Sequence, residues 1–324
     1  MSRLHICNTF FERELSTHPH QTNKTLRSWQ TSHKIVNQLQ FLPLLYARPD
    51  DKILVTHLPK NPDPRLCLID NPPKNLEIEH WGPSRAIALW AKNHDIAYPN
   101  FDWDQISQIN SKIFSYLHST QLPGSELIET QEQLNNWLKK TPGPKILKTP
   151  FGTSGSGHID PSSNVKQLYT FPLIGEPWVE RVLDFSSQWK NGELIGMTIC
   201  KNDSKGRYQG TYVGEIELWA ITEHLRITKP LIEKMGYLDH IGVDAYIYLD
   251  KGEKRVHHIV EINARKTMSW VALQTPHKRL EITPEAEGVL PIELNGTLFS
   301  RNISIGITNS LAQEIVNMLF LSKH

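Results

Sequence analysis

Asp244, Glu261 and Asn263 are three oxygen-bearing side chains carried on two β-prone runs that can bring them together. The runs are residues 241–249 (Ile-Gly-Val-Asp-Ala-Tyr-Ile-Tyr-Leu) and 258–263 (His-Ile-Val-Glu-Ile-Asn), and Lys251-Gly252 between them reads as a hairpin turn. Alternation along the second run puts Glu261 and Asn263 on one face, and Asp244 can meet them from the neighbouring strand. Two carboxylates and an amide converging in this way suit Mg²⁺, a hard cation held by one or two carboxylates plus substrate phosphates. A hairpin with a merely solvated polar face explains the same residues equally well, so the weight falls on what lies upstream.

Upstream, Lys148 ends the short apolar run 144–148 and opens the segment Lys-Thr-Pro-Phe-Gly-Thr-Ser-Gly-Ser-Gly, residues 148–157. Gly152, Gly155 and Gly157 permit positive φ and close approach of backbone to a ligand. Thr153, Ser154 and Ser156 add hydroxyl donors, and successive backbone N–H groups in such a turn form a concavity for anions. Lys148 can supply a point charge to a phosphate. The segment lacks the Gly-Lys-Ser/Thr ending of a P-loop, and its glycine spacing is wrong for a dinucleotide fingerprint. Solvated Gly/Ser loops share this composition, so the loop alone is weak evidence.

The elements that must position these groups can be read coarsely. Residues 4–7 form a first strand, 8–14 a loop, 52–56 a second strand and 76–79 a third. Trp29, Ile35, Val36 and Leu39 recur at helical spacing, and Pro83 opens a helix running to residue 91. Alternating strands and helices in this part predict a small parallel sheet. Thr130 and Gln133 form a capping box at the start of another helix. Asn191-Gly192 is a hairpin turn between 185–189 and 193–200. Residues 225–235 read as a helix stopped by Gly236, 267–273 as a short helix, 275–288 as a loop and 310–321 as an amphipathic helix.

Composition limits the classes of function. The 324 residues are 39% hydrophobic and 21% charged, enough for two or three domains. A net charge of +1 offers no broad field for nucleic acid or a membrane surface. The apolar run 41–47 is too short to span a bilayer, and the start of the chain does not read as a signal peptide. Cys7, Cys67 and Cys200 are odd in number and far apart, which favours reduced thiols and a cytoplasmic setting. His257-His258 reads as a strand face rather than a metal site. No Ser-His-Asp or Cys-His set stands out, so chemistry must come from positioning and charge rather than from a side-chain nucleophile.

In this order and spacing, the pieces resemble the ATP-grasp superfamily across residues 105–275. The resemblance implies that Lys112, on a helix before Leu122-Pro123-Gly124, is a first nucleotide lysine and Lys148 a second. It implies that the run 173–178, with Glu176, Pro177 and Trp178, is the hinge whose backbone reads the adenine edge. Asp184 would take the ribose hydroxyls, the glycine loop would cover the phosphates, and Asp244, Glu261 and Asn263 would carry the metal. Arg265 resembles the arginine that faces the phosphoryl group or acyl-phosphate. Two positions depart from the pattern. Asp184 stands where many members have Glu, and Gly242 stands where some ligases have an arginine, leaving Arg265 or Arg181 to supply that charge. The N-terminal part is similar, more loosely, to the domain preceding the nucleotide-binding part in uncharacterised bacterial ATP-grasp proteins. The shared features are Asn8 after the first strand, Leu42-Pro43 before the second and Trp81-Gly82 before a helix.

The resemblance implies an α/β fold class: a small parallel-sheet domain at 1–104, then a two-lobed ATP-grasp fold with antiparallel sheets. Its nucleotide lobe would be 105–190, and its metal lobe with a C-terminal helix 191–324. The implied activity is an ADP-forming ligase that makes an amide, peptide or thioester bond through an acylphosphate. The implied cofactors are ATP and Mg²⁺, with Mn²⁺ as an alternative metal. Partners would be a small carboxylate and an amine or thiol, such as an amino acid or short peptide; a homodimer is an allowed assembly. A phosphotransferase and a non-catalytic nucleotide-binding module are the alternatives. Candidates for the acceptor side are Asn8, Glu12, Arg13, Trp81 and Arg85, each of which also reads as an ordinary cap or surface group.

Overall fold

A computed structural model describes residues 2–17, 24–59, 62–152, 157–162, 169–203, 206, 208–237, 239–274, 279–281, 292–294 and 297–299. The chain divides into two compact units: Met1–Asp102 with Gln209–Val213 and Arg265–His324, and Trp103–Tyr208 with Gly214–Ala264.

The first unit begins with β1 (Arg3–Ile6), α1 (Phe11–Leu15), α2 (Leu26–Gln30), α3 (Lys34–Leu39), β2 (Lys52–Val55), β3 (Leu66–Leu68), β4 (Glu77–His80) and α4 (Arg85–Asn93). Its sheet runs β3-β2-β1-β4 with every pairing parallel, as expected. Successive strand residues feed opposite faces. Cys7, Ile53 and Val55 join a cluster with Phe41 and Trp81, while Leu4, Ile6 and Leu54 join one with Phe10, Trp29 and Ile87. Burial on both faces is the normal state of a parallel sheet.

Three local expectations need correction here. The segment read as a loop at 8–14 contains α1. Asn8 is buried, donates to the Gly82 carbonyl at 2.8 Å and accepts from the Trp81 and Gly82 amides. That anchor turns the chain so that Phe10 and Phe11 bury fully, and tertiary burial overrides the weak local signal. Strand β3 went unread because it is three residues long and only partly buried. Helix α4 starts at Arg85 rather than at Pro83, with Ser84 capping it by accepting from the Ile87 amide.

The second unit contains α5 (Trp103–Asn110), α6 (Lys112–Leu117), β5 (Glu126–Ile128), α7 (Gln131–Lys140), β6 (Lys145–Lys148), β7 (His158–Ile159), β8 (Leu173–Pro177), β9 (Arg181–Lys190) and β10 (Glu193–Asn202). After β11 (Tyr208–Tyr212), which from Gln209 onward belongs to the first unit, come this unit's α8 (Leu218–Met235), β12 (His240–Asp250) and β13 (Glu253–Asn263). It holds two antiparallel sheets, β5-β8-β6-β7 and β13-β12-β9-β10. Helix α7, with the expected capping box, buries Leu134 and Trp137 against the first. Helix α8 packs Ala220 with Phe185, Ala245 and Ile247 of the second. It starts well before residue 225, and no side-chain cap at Glu217 announces that start.

Both hairpins of the second sheet turn where the sequence says they must. Asn191 and Gly192 have φ of 52° and 80°, and Lys251 and Gly252 have 52° and 85°. Two consecutive positive φ values match the right-handed twist of the flanking strands. Beneath this sheet a buried chain of hydrogen bonds runs from the Trp189 indole to the Ser187 hydroxyl and on to His224 Nε2, each 2.8 Å. His224 Nδ1 meets the His258 carbonyl at 2.8 Å, so it is Nδ1 that carries the proton, since a carbonyl only accepts.

In the remainder of the chain, α9 (Met268–Gln274) belongs to the first unit and sends Trp270, Val271 and Ala272 into its core. Residues 279–281, read as loop, form β14 (Arg279–Glu281), which pairs antiparallel with β11; a strand partner distant in sequence leaves no local trace. β15 (Ile292–Leu294) and β16 (Thr297–Phe299) pair antiparallel. The helix read at 310–321 lies outside the described residues. Among the described residues no helix is long and apolar enough to cross a membrane.

Two outcomes are expected. A Cβ on Gly175 of β8 would lie 2.6 Å from the buried Trp137 ring and 2.9 Å from Ile128. Gly175→Ala should therefore cost about 1–3 kcal/mol in chemical denaturation; an unchanged midpoint would contradict the packing described. Burial pushes the His224 imidazole down to about 4, against the opposing pull of the His258 carbonyl. Between pH 6.5 and 4 the unfolded chain then binds a proton that the folded chain refuses. Stability should be full above pH 6.5 and fall as pH drops toward 4, and His224→Gln should flatten that slope.

Candidate active site

One face of the first sheet of the second unit gathers Lys148, His158 and Glu176. Lys148 is the last residue of β6 and stands directly across from His158 of β7. Glu176 of β8 reaches the same face from the other side, where Lys148 Nζ donates to its Oε2 at 2.5 Å. Both partners are buried, Lys148 at 3% exposure and Glu176 at 6%. Burial alone would raise the Glu176 carboxyl. Lys148, His257 and Arg181 outweigh it and hold the group below its usual value, so it stays ionised.

The glycine segment is closed at its base. Thr149 N–H donates to the Gly157 carbonyl at 3.0 Å and the Thr149 hydroxyl donates to the Phe151 carbonyl at 2.7 Å. Gly157 has φ of 90°, and a Cβ there would lie 2.4 Å from Thr149 Oγ1, so the turn admits only glycine. Thr153, Ser154, Gly155 and Ser156 lie outside the described residues.

The second sheet supplies the opposing set. Asp244 of β12 pairs across the ladder with Glu261 of β13, and Asn263 Nδ2 donates to Asp244 Oδ2 at 3.3 Å. Ser111 caps α6, whose first residue, Lys112, is 6% exposed. Lys112 Nζ donates to Glu261 Oε1 at 2.6 Å and to the Gly152 carbonyl at 2.8 Å. It therefore ties the glycine turn to the metal-type carboxylates. The end of β13 is fixed in turn by Ser115 Oγ accepting from the Ile262 amide and Asn110 Oδ1 accepting from the Ala264 amide. Among the described residues no cluster of three His, Cys, Asp or Glu side chains suits a metal. The set here is two carboxylates and an amide, all oxygen donors, and it fits Mg²⁺ rather than zinc.

In the segment expected to be the hinge, Trp178 N–H donates to the Pro144 carbonyl at 2.8 Å just past Pro177. The Arg181 guanidinium sits 4.2 Å from the Tyr246 ring centre and 5.6 Å from that of Trp178, and Arg181 Nη1 bonds Asp184 Oδ1 at 2.9 Å. Asp184 therefore meets any ligand already engaged by Arg181. Sequence reading did not single out Tyr246 or His158, and it took His257 only as part of a strand face, where it lies. Tyr246 stands across the ladders from both Asp184 and His257. His257 is 3% exposed, and burial, opposed by Glu176 and reinforced by Lys148, pushes it down to about 4. Alternation from Asp244 to Tyr246 was the available signal for the first; nothing local marks the other two. Arg265 belongs to the first unit, where it pairs with Glu12 and donates to the Lys266 carbonyl at 2.9 Å.

Removing one member of a buried pair leaves a bare charge. Lys148→Met should cost about 3–5 kcal/mol of stability, and Lys148→Met with Glu176→Leu should recover most of it. A double variant as unstable as the single one would mean that the pair does not govern this face.

No family model and no curated protein sequence matches the chain. Solved structures do. Pyruvate carboxylase from Rhizobium etli is 12% identical, over 85% of this chain and 27% of that one, with a TM-score of 0.51. N5-carboxyaminoimidazole synthetase from Staphylococcus aureus, complexed with ADP, is 14% identical over 59% of this chain and 54% of its own, with a TM-score of 0.44. D-alanine–D-alanine ligase from Bacillus anthracis is 13% identical over 54% and 62%, with a TM-score of 0.36. The chain spans about half the length of the ADP-bound N5-carboxyaminoimidazole synthetase structures that it matches. At such identities likeness speaks of fold alone: the chain shares with the pyruvate carboxylase structure a mixed α/β architecture, here a small parallel sheet and two antiparallel sheets, as expected.

Proposed function

We propose that the chain is an ATP- and Mg²⁺-dependent ligase that joins a carboxylate to an amine through an acylphosphate, releasing ADP. One observation carries this reading. Within one compact unit, two buried lysines from different elements are each held by a carboxylate, and one of them also holds the glycine turn. Ammonium groups buried in this way are preorganised for a polyanion, whose charge they offset without further rearrangement.

In this reading Lys112 and Lys148 take phosphate oxygens of ATP, and Glu176 keeps Lys148 aimed. The segment 148–157 closes over the phosphates and excludes water, which protects the acylphosphate from hydrolysis. Asp244, Glu261 and Asn263 would hold Mg²⁺, which supplies Lewis-acid polarisation and offsets charge. The hinge, Glu176, Pro177 and Trp178, reads the adenine edge through its backbone, and Asp184 with Arg181 meets the ribose. Arg265, two residues beyond Asn263 in sequence, is the charge proposed for the acylphosphate side. The substrate carboxylate oxygen attacks the γ-phosphorus as the bond to the β–γ bridging oxygen breaks and ADP leaves. The amine then attacks the acyl carbon, phosphate departs and the amine gives up a proton. Catalysis is positioning and charge stabilisation throughout. An amino acid or short peptide is the proposed substrate class.

ADP release should be screened with amino-acid mixtures, with hydroxylamine present to trap an acylphosphate as a hydroxamate. Glu261→Gln and Asn263→Ala should each lower turnover by about 10²-fold or more. Full turnover in either variant would remove these residues from the metal site. A phosphorylated hydroxyl product without hydroxamate would turn the reading to a phosphotransferase.

A further inference from the structure

His158 has no part in the reading above, yet it occupies a telling position. It begins β7 directly after Gly157, where the glycine turn ends. It stands opposite Lys148 in an antiparallel ladder, and directly opposed residues project from the same face. A Cβ on Gly206 would lie 3.9 Å from His158 Cε1 and 3.7 Å from the Trp178 ring, so the imidazole is walled on that side. Its Nδ1 is buried and has no hydrogen-bond partner among the described residues. Buried polar atoms are almost always satisfied, and one left open beside two lysines asks for a ligand atom.

The charges that bear on the ring name that atom. Burial, Lys148, Lys112 and Arg181 all disfavour a proton on His158, and Glu261 opposes them; the imidazole falls to about 4. Positive charge thus bears on the ring from β6, α6 and β9, against Glu261 of β13, while Glu176 of β8 shares the same face and pairs with Lys148. An anionic oxygen would both satisfy a ring N–H and offset the lysines.

We propose that His158 is a third side chain, with Lys112 and Lys148, that contacts the polyphosphate of the nucleotide. The assignment rests on the nucleotide reading of the site. It carries a consequence: a polyanion that offsets both lysines makes the ring easier to protonate, so MgATP binding near pH 6.5 takes up a proton at His158.

Calorimetric titration of the full chain tests this with MgATP, MgADP and adenosine, in buffers of differing ionisation heat. His158→Leu should weaken MgATP about tenfold, the size of one hydrogen bond to a charged group, and leave adenosine unchanged. His158→Gln should regain part of the affinity but none of the proton uptake seen in the wild type. Equal MgATP affinity in wild type and His158→Leu would overturn the assignment alone. Equal weakening for adenosine would also overturn it, by making the role one of packing. A wild-type chain that binds no MgATP would overturn the assignment together with the nucleotide reading.

Discussion

The ion pair between Lys148 and Glu176 constrains the candidate site more than any other contact. Removing either partner leaves the other buried without its counter-charge, at a cost of about 3–5 kcal/mol. Together they fix the end of β6 against β8 and present one ammonium on the sheet face that also bears His158. The pair between Lys112 and Glu261 repeats the device, linking α6 to β13. Each lysine is held by a carboxylate before any ligand arrives. In the proposed reading these pairs exchange partners: a polyanion would offset the lysines, and a divalent cation would offset Glu261.

The rest of the second unit can be understood as what these pairs require. Lys112 reaches Glu261 because α6 is set against β13 by Ser115, while Asn110 at the end of α5 holds the residue after Asn263. Asp244 meets Glu261 because a tight turn at Lys251-Gly252 fixes the register of the long hairpin. The ladder then slips between Asp244 and Tyr246, so that Tyr246 stands opposite His257. Such irregularities re-aim side chains near sites. Arg181 lies over Tyr246 while holding Asp184.

What was legible in the sequence was what local chemistry encodes. Asn191-Gly192 and Lys251-Gly252 announce turns because few residues accept positive φ, and alternation along 258–263 puts Glu261 and Asn263 on a common face. The parallel sheet of the first unit followed from the strand-helix rhythm. Local pattern does not encode partners far apart in sequence, such as Lys112 and Glu261, separated by 149 positions. Nor does it reveal that Arg181 would engage Asp184 or that Arg265 would pair with Glu12. Helix α1 was hidden because its signal is the burial of Phe10 and Phe11, not a cap. His158 was hidden because a lone histidine after a glycine loop has no periodicity to betray it.

The central claim is that Lys112 and Lys148 face one polyphosphate. Its most direct test is a crystal structure with Mg²⁺ and a non-hydrolysable ATP analogue. The account predicts phosphate oxygens within hydrogen-bond reach of both ammonium groups and the metal on Asp244, Glu261 and Asn263. A nucleotide bound elsewhere, with both lysine–glutamate pairs undisturbed and no phosphate between them, would contradict it.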